Sequence, residues 1–291
     1  MTNVKNEIKN ESVQNDISKN VDYDVIKDFG SEWELYDQST LSDAERKQHF
    51  DAYFSVFPWD ELSPDAVGFD AGCGTGRWAY LVAPKVHYLH CVDPSKALNI
   101  AKKNLQSFSN CSFHNATVDH MPFPDESMDF GYSLGVLHHI PDTRQAMIDC
   151  VKKLKKGSPF LLYLYYAFDN QPVWFKFVWK CSDIMRRIIS HMPKSIKLFL
   201  TQVIALVIYY PMGRTAKILE NIGFNVHSWP LSVYRNRSFY SMRTDTLDRF
   251  GTKLENRFTK IELKSMMEEA GLERIKFSDK APFWCVVGYK R

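Results

Sequence analysis

The period at which apolar residues recur changes several times along the chain, and these changes predict its elements. From Ala66 onward, apolar runs of strand length alternate with stretches of helical spacing. AVGFD, VHYLHCVD, CSFHNAT, MDFGYSLG and SPFLLYLYY read as strands, with helices expected over Arg77 to Val82, over KALNIAKKNL and from Asp142 to about Lys155. This alternation predicts an α/β fold: a doubly wound, mostly parallel sheet covered on both faces, with ligands at the carboxyl ends of its strands. After Tyr166 the alternation stops for about ninety residues. PVWFKFVWKCSDIMRRIISHM and SIKLFLTQVIALVIYY have helical spacing, whereas Trp229 to Phe258 reads as loop-rich. At Thr259 a capping box with Glu262 opens a helix that Gly271 closes, and the strands LERIKFS and FWCVVGYK complete the sheet.

Upstream of Ala66 the pattern is less regular. MTNVKNEIKNESVQNDISKN has no apolar signal core and predicts a disordered polar tail. FGSEWELYD mixes aromatic and polar residues too irregularly for a helix or strand and is read as an ordered arm, while Ser42 and Glu45 form a capping box ahead of Phe50, Tyr53, Phe54 and Phe57. The expected organisation is a tail over 1–20, a lid of arm and helix over 21–64, a central domain over 65–167 and 259–291, and an insertion over 168–258 after the fifth strand.

Composition narrows the class. With 291 residues, 45% of them hydrophobic and 24% charged, the chain is neither collagen-like, wholly disordered nor a multi-span membrane protein. Six scattered cysteines without zinc-type spacing argue against a metal site and for a reduced, cytoplasmic setting. The net charge of +3 conceals an asymmetry: Phe168 to Phe258 holds 14 Lys or Arg against 6 Asp or Glu. Such an excess favours an anionic partner, unless it is merely a solvated basic face. Leu198 to Met212 is free of charge, but its 15 residues are fewer than the roughly 18 of a membrane span. A buried helix is expected there, with peripheral membrane contact as the alternative.

The candidate chemistry sits between the first strand and the first helix, in Asp70-Ala71-Gly72-Cys73-Gly74-Thr75-Gly76-Arg77. Alternate glycines let the backbone turn tightly and approach a ligand, and the helix that follows offers unpaired N–H groups to an anion. Arg77 stands where a dinucleotide fingerprint needs glycine, and the Walker sequence is absent.

D-x-G-x-G-x-G resembles motif I of the class I S-adenosylmethionine (SAM)-dependent methyltransferases, and NATVDHMPFPDESMDFGYSLGVLHHIPD resembles a run found in the group that includes quinone and sugar methylating enzymes. The resemblance implies a Rossmann-like domain with an antiparallel last strand and SAM as cofactor. It implies that Gly72, Gly74 and Gly76 accommodate the methionine carboxylate, Asp70 its amino group and Asp93 the ribose. Thr117 stands where the family carries an acid, so the adenine contact falls to Thr117 and the Val118 backbone, or to Asp119; Ser133 and Leu134 pass beside the sulfonium.

His138 is the candidate general base, being an imidazole where the acceptor is expected, with His139 as the weaker choice. The alternative is that these histidines only pack. In the insertion, Tyr234, Arg235, Arg237, Tyr240 and Arg243 have the chemistry to recognise phosphate, carboxylate or a ring, with Asp245 and Asp248 as candidate bases, unless Arg and Asp there merely fasten the segment. Phe29, Trp33 and Tyr36 are candidates for a lid over cofactor and substrate. The acceptor this implies is an anionic small molecule such as a sugar or a cell-surface polysaccharide precursor. A quinone or lipid at the membrane surface, RNA, a non-catalytic SAM-binding regulator and nicotinamide redox chemistry stay open, with nucleic acid disfavoured because no RNA-binding module is recognisable. The pattern does not indicate an oligomeric state.

Overall fold

A computed structural model of the chain describes residues 20–38, 40–226 and 229–291. Apart from Asn20, the tail expected over 1–20 lies outside the described residues. The seven strands are β1 (Val67–Ala71), β2 (Tyr88–Val92), β3 (Cys111–His114), β4 (Phe130–Leu134), β5 (Pro159–Tyr163), β6 (Leu272–Phe277) and β7 (Cys285–Lys290). They form one sheet in the order β3-β2-β1-β4-β5-β7-β6. β7 runs antiparallel to both β5 and β6, and β1 to β5 pair in parallel. Every expected strand is present, and the Rossmann-like architecture with an antiparallel last strand is observed.

The helices in chain order are α1 (Tyr23–Leu35), α2 (Asp43–Tyr53), α3 (Ala79–Val82), α4 (Ala97–Asn104), α5 (Thr143–Lys153), α6 (Val173–Ser190), α7 (Lys194–Ile204), α8 (Tyr210–Asn221), α9 (Phe239–Gly251) and α10 (Lys260–Glu269). Four of these segments differ from the sequence expectation. The supposedly irregular arm is helix α1, started by the Asp22 carboxylate, which accepts from the N–H groups of Asp24 and Val25. Gly30 within it packs closely on the start of α4, where an added Cβ would stand 3.3 Å from the Lys96 backbone nitrogen. The stretch read as loop-rich contains α9, whose Ser238 side chain accepts from the Ser241 N–H. Its polar residues hid the period because several of them face an internal cavity instead of solvent.

The third difference is the uncharged run, expected to be buried. It continues from α7 through one π turn, Ala205–Tyr209, into α8, and Phe199, Leu206 and Val207 are 67%, 59% and 63% exposed. Only one face of this long helix packs inward. Fourth, Ser42 caps α2 by accepting from the Glu45 N–H, but Glu45 does not return the bond. Its Oε1 accepts from the Ser238 N–H at 3.0 Å and the Ser241 hydroxyl at 2.6 Å, which ties α2 to α9. The second box, Thr259 with Glu262, closes in both directions.

The sheet buries a core on each face. Phe69, Met147, Leu154 and Met267 lie on the face covered by α5 and α10; Phe130, Tyr132, Phe54 and Leu89 lie on the other, under α2 and α4. Strands β1 and β4 meet as alternating large and small residues, with Gly68 opposite Phe130 and Phe69 opposite Gly131. A Cβ on Gly68 would fall 2.3 Å from the Phe130 ring, and one on Gly131 would fall 2.4 Å from the Phe69 ring. Each glycine is the space its neighbour's ring occupies. Gly68→Ala is therefore expected to destabilise the fold by about 1–3 kcal/mol, the usual penalty of overpacking, and Phe130→Leu added to it should recover part of that loss. Urea unfolding of the two single variants and the double variant checks this; strictly additive effects would contradict it.

Candidate active site

One cavity of about 440 Å³ lies at the carboxyl ends of β1, β2, β4 and β5. Its floor is the glycine turn. The Gly72 and Cys73 N–H groups both donate to the Val92 carbonyl, at 2.8 and 3.0 Å, which fastens the end of β1 to the end of β2. Gly72 has φ +82°, and a Cβ there would strike Val136 at 2.4 Å, so the close crossing of the two strand ends requires glycine. Gly74 has φ +53° and lies beneath Trp33, whose Nε1 is 3.8 Å from where a Cβ would stand.

Asp93 sits beside this turn, largely buried. Its Oδ2 accepts from the Gly74 N–H at 2.9 Å, and its Oδ1 accepts from the Ser95 N–H at 2.8 Å and the Ser95 hydroxyl at 2.6 Å. Burial pushes its pKa up and these bonds pull it back. A carboxylate offers about four acceptor sites, so Oδ2 keeps capacity for a ligand hydroxyl. Thr117, Val118 and Leu134 line the same part of the cavity. Asp70, Gly76 and Ser133 do not line it. Asp70 points from β1 into the core beside Tyr132, where burial raises its pKa well above the usual range. Gly76 backs onto Leu105, and Ser133 donates to the Ala71 carbonyl at 2.8 Å. The Asp70 carboxylate is buried beneath the cavity floor and does not line the cavity, and neither of its oxygens has a hydrogen-bond partner among the described residues. Asp119 is also outside the lining.

Beyond the glycine turn the wall becomes cationic and aromatic. Arg77, Arg237, Arg249 and Arg257 line it, together with Tyr53, Tyr163, Tyr165 and Tyr234. Arg237 pairs with Asp245 at 2.9 Å, while Arg249 and Arg257 share Glu255 at 3.1 and 2.7 Å. Arg77 has no carboxylate partner among the described residues. It lies 4.6 Å over the Trp78 ring and donates to His49, whose pKa burial and the neighbouring guanidiniums push down to about 2. Its Nε is buried without a partner.

The two insertion carboxylates stand in different surroundings. Asp245 lines the cavity and is held in an ion pair with Arg237. Asp248 accepts from the Tyr165 hydroxyl, and burial pushes its pKa up to about 7. His138 is fully buried, its ring stacked 3.9 Å from Tyr165, with both nitrogens unpartnered among the described residues and outside the cavity lining. His139 reaches the wall instead. Its Nδ1 donates to the Leu254 carbonyl at 2.7 Å, and burial lowers its pKa to about 4, so it is neutral at pH 7.

Of the lid candidates, Phe29 and Trp33 line the cavity from α1, with Phe29 4.7 Å from the His139 ring. Tyr36 turns away to Gln202 and Tyr240. Four of the expected substrate contacts have partners elsewhere in the fold. Besides Tyr36, Tyr240 accepts the Gln38 N–H at 3.0 Å, Arg243 donates to Gln202, and Arg235 pairs with Glu220 at 2.8 Å on the outer surface. Tyr234 and Arg237 do reach the cavity. Sequence reasoning missed Tyr53, Arg77, Tyr163, Tyr165 and Arg257 as candidates. Tyr163 and Tyr165 carried a usable signal, since they follow the last parallel strand at its carboxyl end.

Residues 69–162 match a methyltransferase domain family. An uncharacterized methyltransferase, YcgJ, from Bacillus subtilis is 33% identical over 112 residues, 38% of this chain and 44% of that protein. A probable tRNA methyltransferase 9B from Homo sapiens is 29% identical over 36% of this chain and 22% of its own length. The chain thus spans less than half the length of these curated relatives, and the presence of a tRNA methyltransferase name among them leaves the disfavouring of nucleic acid without support. A putative methyltransferase from Bacillus halodurans superposes with a TM-score of 0.46 at 16% identity, over 81% of this chain and 71% of that one. The matched segment, residues 69–162, contains the glycine turn, Asp93 and the strand ends that build the cavity, and this part of the chain is similar to a methyltransferase domain.

Proposed function

We propose that the chain transfers a methyl group from SAM to a phosphate- or carboxylate-bearing small molecule, a class that includes anionic sugars. The observation that carries this reading is the continuity of one cavity from the glycine turn to a wall of four arginines and several tyrosines. The first half fits the cofactor. Gly74 leaves room for a close backbone approach, Asp93 keeps an acceptor site for ribose hydroxyls, and Thr117, Val118 and Leu134 flank the space for adenine. SAM supplies an already activated methyl group on its sulfonium, so the protein's main task is alignment and exclusion of water.

In the second half, guanidiniums offer planar, bidentate donors to an anion, and Arg77 is the one that pairs with no carboxylate among the described residues. The tyrosine rings exclude water around the acceptor. Asp248 is the proton acceptor best placed on this wall: it is held by Tyr165 and titrates near neutrality. The names of tRNA-modifying relatives favour a second reading, with tRNA as acceptor; label transfer from SAM to bulk tRNA distinguishes the two.

Three outcomes are expected. Asp93→Ala should weaken SAM binding in calorimetry by roughly 10- to 100-fold, the worth of hydrogen bonds to a charged group; an unchanged Kd would contradict the ribose assignment. Arg77→Met should raise KM for the acceptor at least about tenfold while leaving SAM affinity intact. For Asp248 the sign follows from its raised pKa: the carboxylate is protonated below about pH 7, so kcat should climb as pH rises through that value and then level. Asp248→Asn should remove the inflection and cost about 100-fold in kcat, and a profile identical to the parent's would show that Asp248 takes no proton.

A further inference from the structure

Helices α6, α7 and α8 present a broad apolar surface that the methyl-transfer reading does not use. On α6, Val173, Trp174, Phe177, Val178, Met185 and Ile188 are exposed and recur at helical spacing. The helix that runs from α7 through the π turn into α8 repeats this with Ile196, Phe199, Val203, Leu206, Val207 and Tyr210. Both helices pack their other faces on α9. Each helix thus turns a run of large hydrophobic side chains outward at helical spacing, unlike surface hydrophobics scattered singly.

We infer that this face docks on an anionic lipid bilayer and that the protein is a peripheral membrane protein. Charge selects that occupant. Between residues 173 and 221 the chain has eight Lys or Arg and two Asp or Glu, an excess of six on a chain whose whole net charge is +3. One of the two acids, Asp183, is buried against Arg186 and Arg187, and the other, Glu220, pairs with Arg235. Lys176, Lys180, Lys194 and Lys217 have no carboxylate partner among the described residues. An apolar stripe edged with lysines, with Trp174 and Tyr210 on it, has the chemistry of a helix lying in the headgroup region. A second copy of the chain would place two such basic rims against each other.

The segment lies on the bilayer and does not cross it. Lys194–Asn221 has the length and apolarity of a span, at a mean hydropathy of 1.5, but its inner face is fastened to the domain. Lys197 donates to the Gly251 carbonyl at 3.0 Å and pairs with Asp28 at 3.3 Å, while Thr201, Ile204 and Tyr209 are buried. The π turn has the membrane face on one side and the cavity on the other: Leu206 and Val207 point outward, whereas Tyr209 lines the cavity. Docking would hold the acceptor half of the cavity close to the lipid surface. This inference does not rest on the proposed reaction.

The test is co-sedimentation of the full chain with phosphatidylcholine vesicles, with and without phosphatidylglycerol. Binding is expected to the mixed vesicles, and to weaken as salt is raised. Phe199→Ser and Val207→Ser, both at exposed positions, should each lower the partition coefficient about tenfold with the circular dichroism spectrum unchanged. Lys176→Gln with Lys180→Gln should remove most of the preference for the anionic lipid. Absence of binding to either vesicle would overturn the inference. So would binding that the substitutions leave unchanged, or a dimer in sedimentation velocity that Phe199→Ser dissolves.

Discussion

The carbonyl of Val92 holds the functional part of this fold together. It accepts from both Gly72 and Cys73, so the end of β1 is pinned to the end of β2, and the next residue, Asp93, takes the Gly74 N–H. Three successive N–H groups of the glycine turn are thus taken up by Val92, which ends β2, and by Asp93 just after it. That assignment sets where the chain turns, keeps the turn open toward Trp33 and aims the Asp93 carboxylate across the same space. The energetics are those of buried polar groups: each donor left unpaired there would cost on the order of 1–3 kcal/mol, so the arrangement is held by the penalty for leaving it. Gly72 permits this, because any side chain would meet Val136.

A second layer of specificity is added by the insertion, and α9 is its pivot. One side of α9 buries Met242 and Phe250 against Ile189, Ile204 and Tyr209, and another sends Asp245 and Asp248 into the cavity. Its N-terminus is tied by Glu45 to α2, which also carries Tyr53 of the cavity wall. The elements that shape the acceptor half are therefore fastened to one another across distant parts of the chain. Guanidinium–carboxylate pairs order the wall, while Arg77 has no direct carboxylate pair among the described residues. That is a reason to look for an anionic acceptor.

The central sheet was legible because its strands are short apolar runs bounded by turns, and the glycine turn because positive φ and close crossing demand glycine at fixed spacing. What the pattern concealed was determined by long-range contacts. Periodicity assumes that polar residues face water, and α9 breaks that assumption by facing a polar cavity. The irregular mix of FGSEWELYD argued against a helix, yet α1 forms there with Gly30 packed close to the start of α4. The Arg and Tyr residues of the insertion were indistinguishable by type; only packing decided that Arg237 and Tyr234 reach the cavity while Arg235, Tyr240 and Arg243 are tied elsewhere. His138 shows the same limit, since a histidine after a catalytic strand can equally be a buried ring beneath Tyr165.

The measurement that tests the central claim most directly is incubation of the purified protein with methyl-labelled SAM and a fractionated metabolite extract, followed by mass spectrometry of both products. The account predicts label in an anionic small molecule together with an equal amount of S-adenosylhomocysteine. A protein that neither binds nor consumes SAM, or that retains a nicotinamide cofactor in its place, would contradict it.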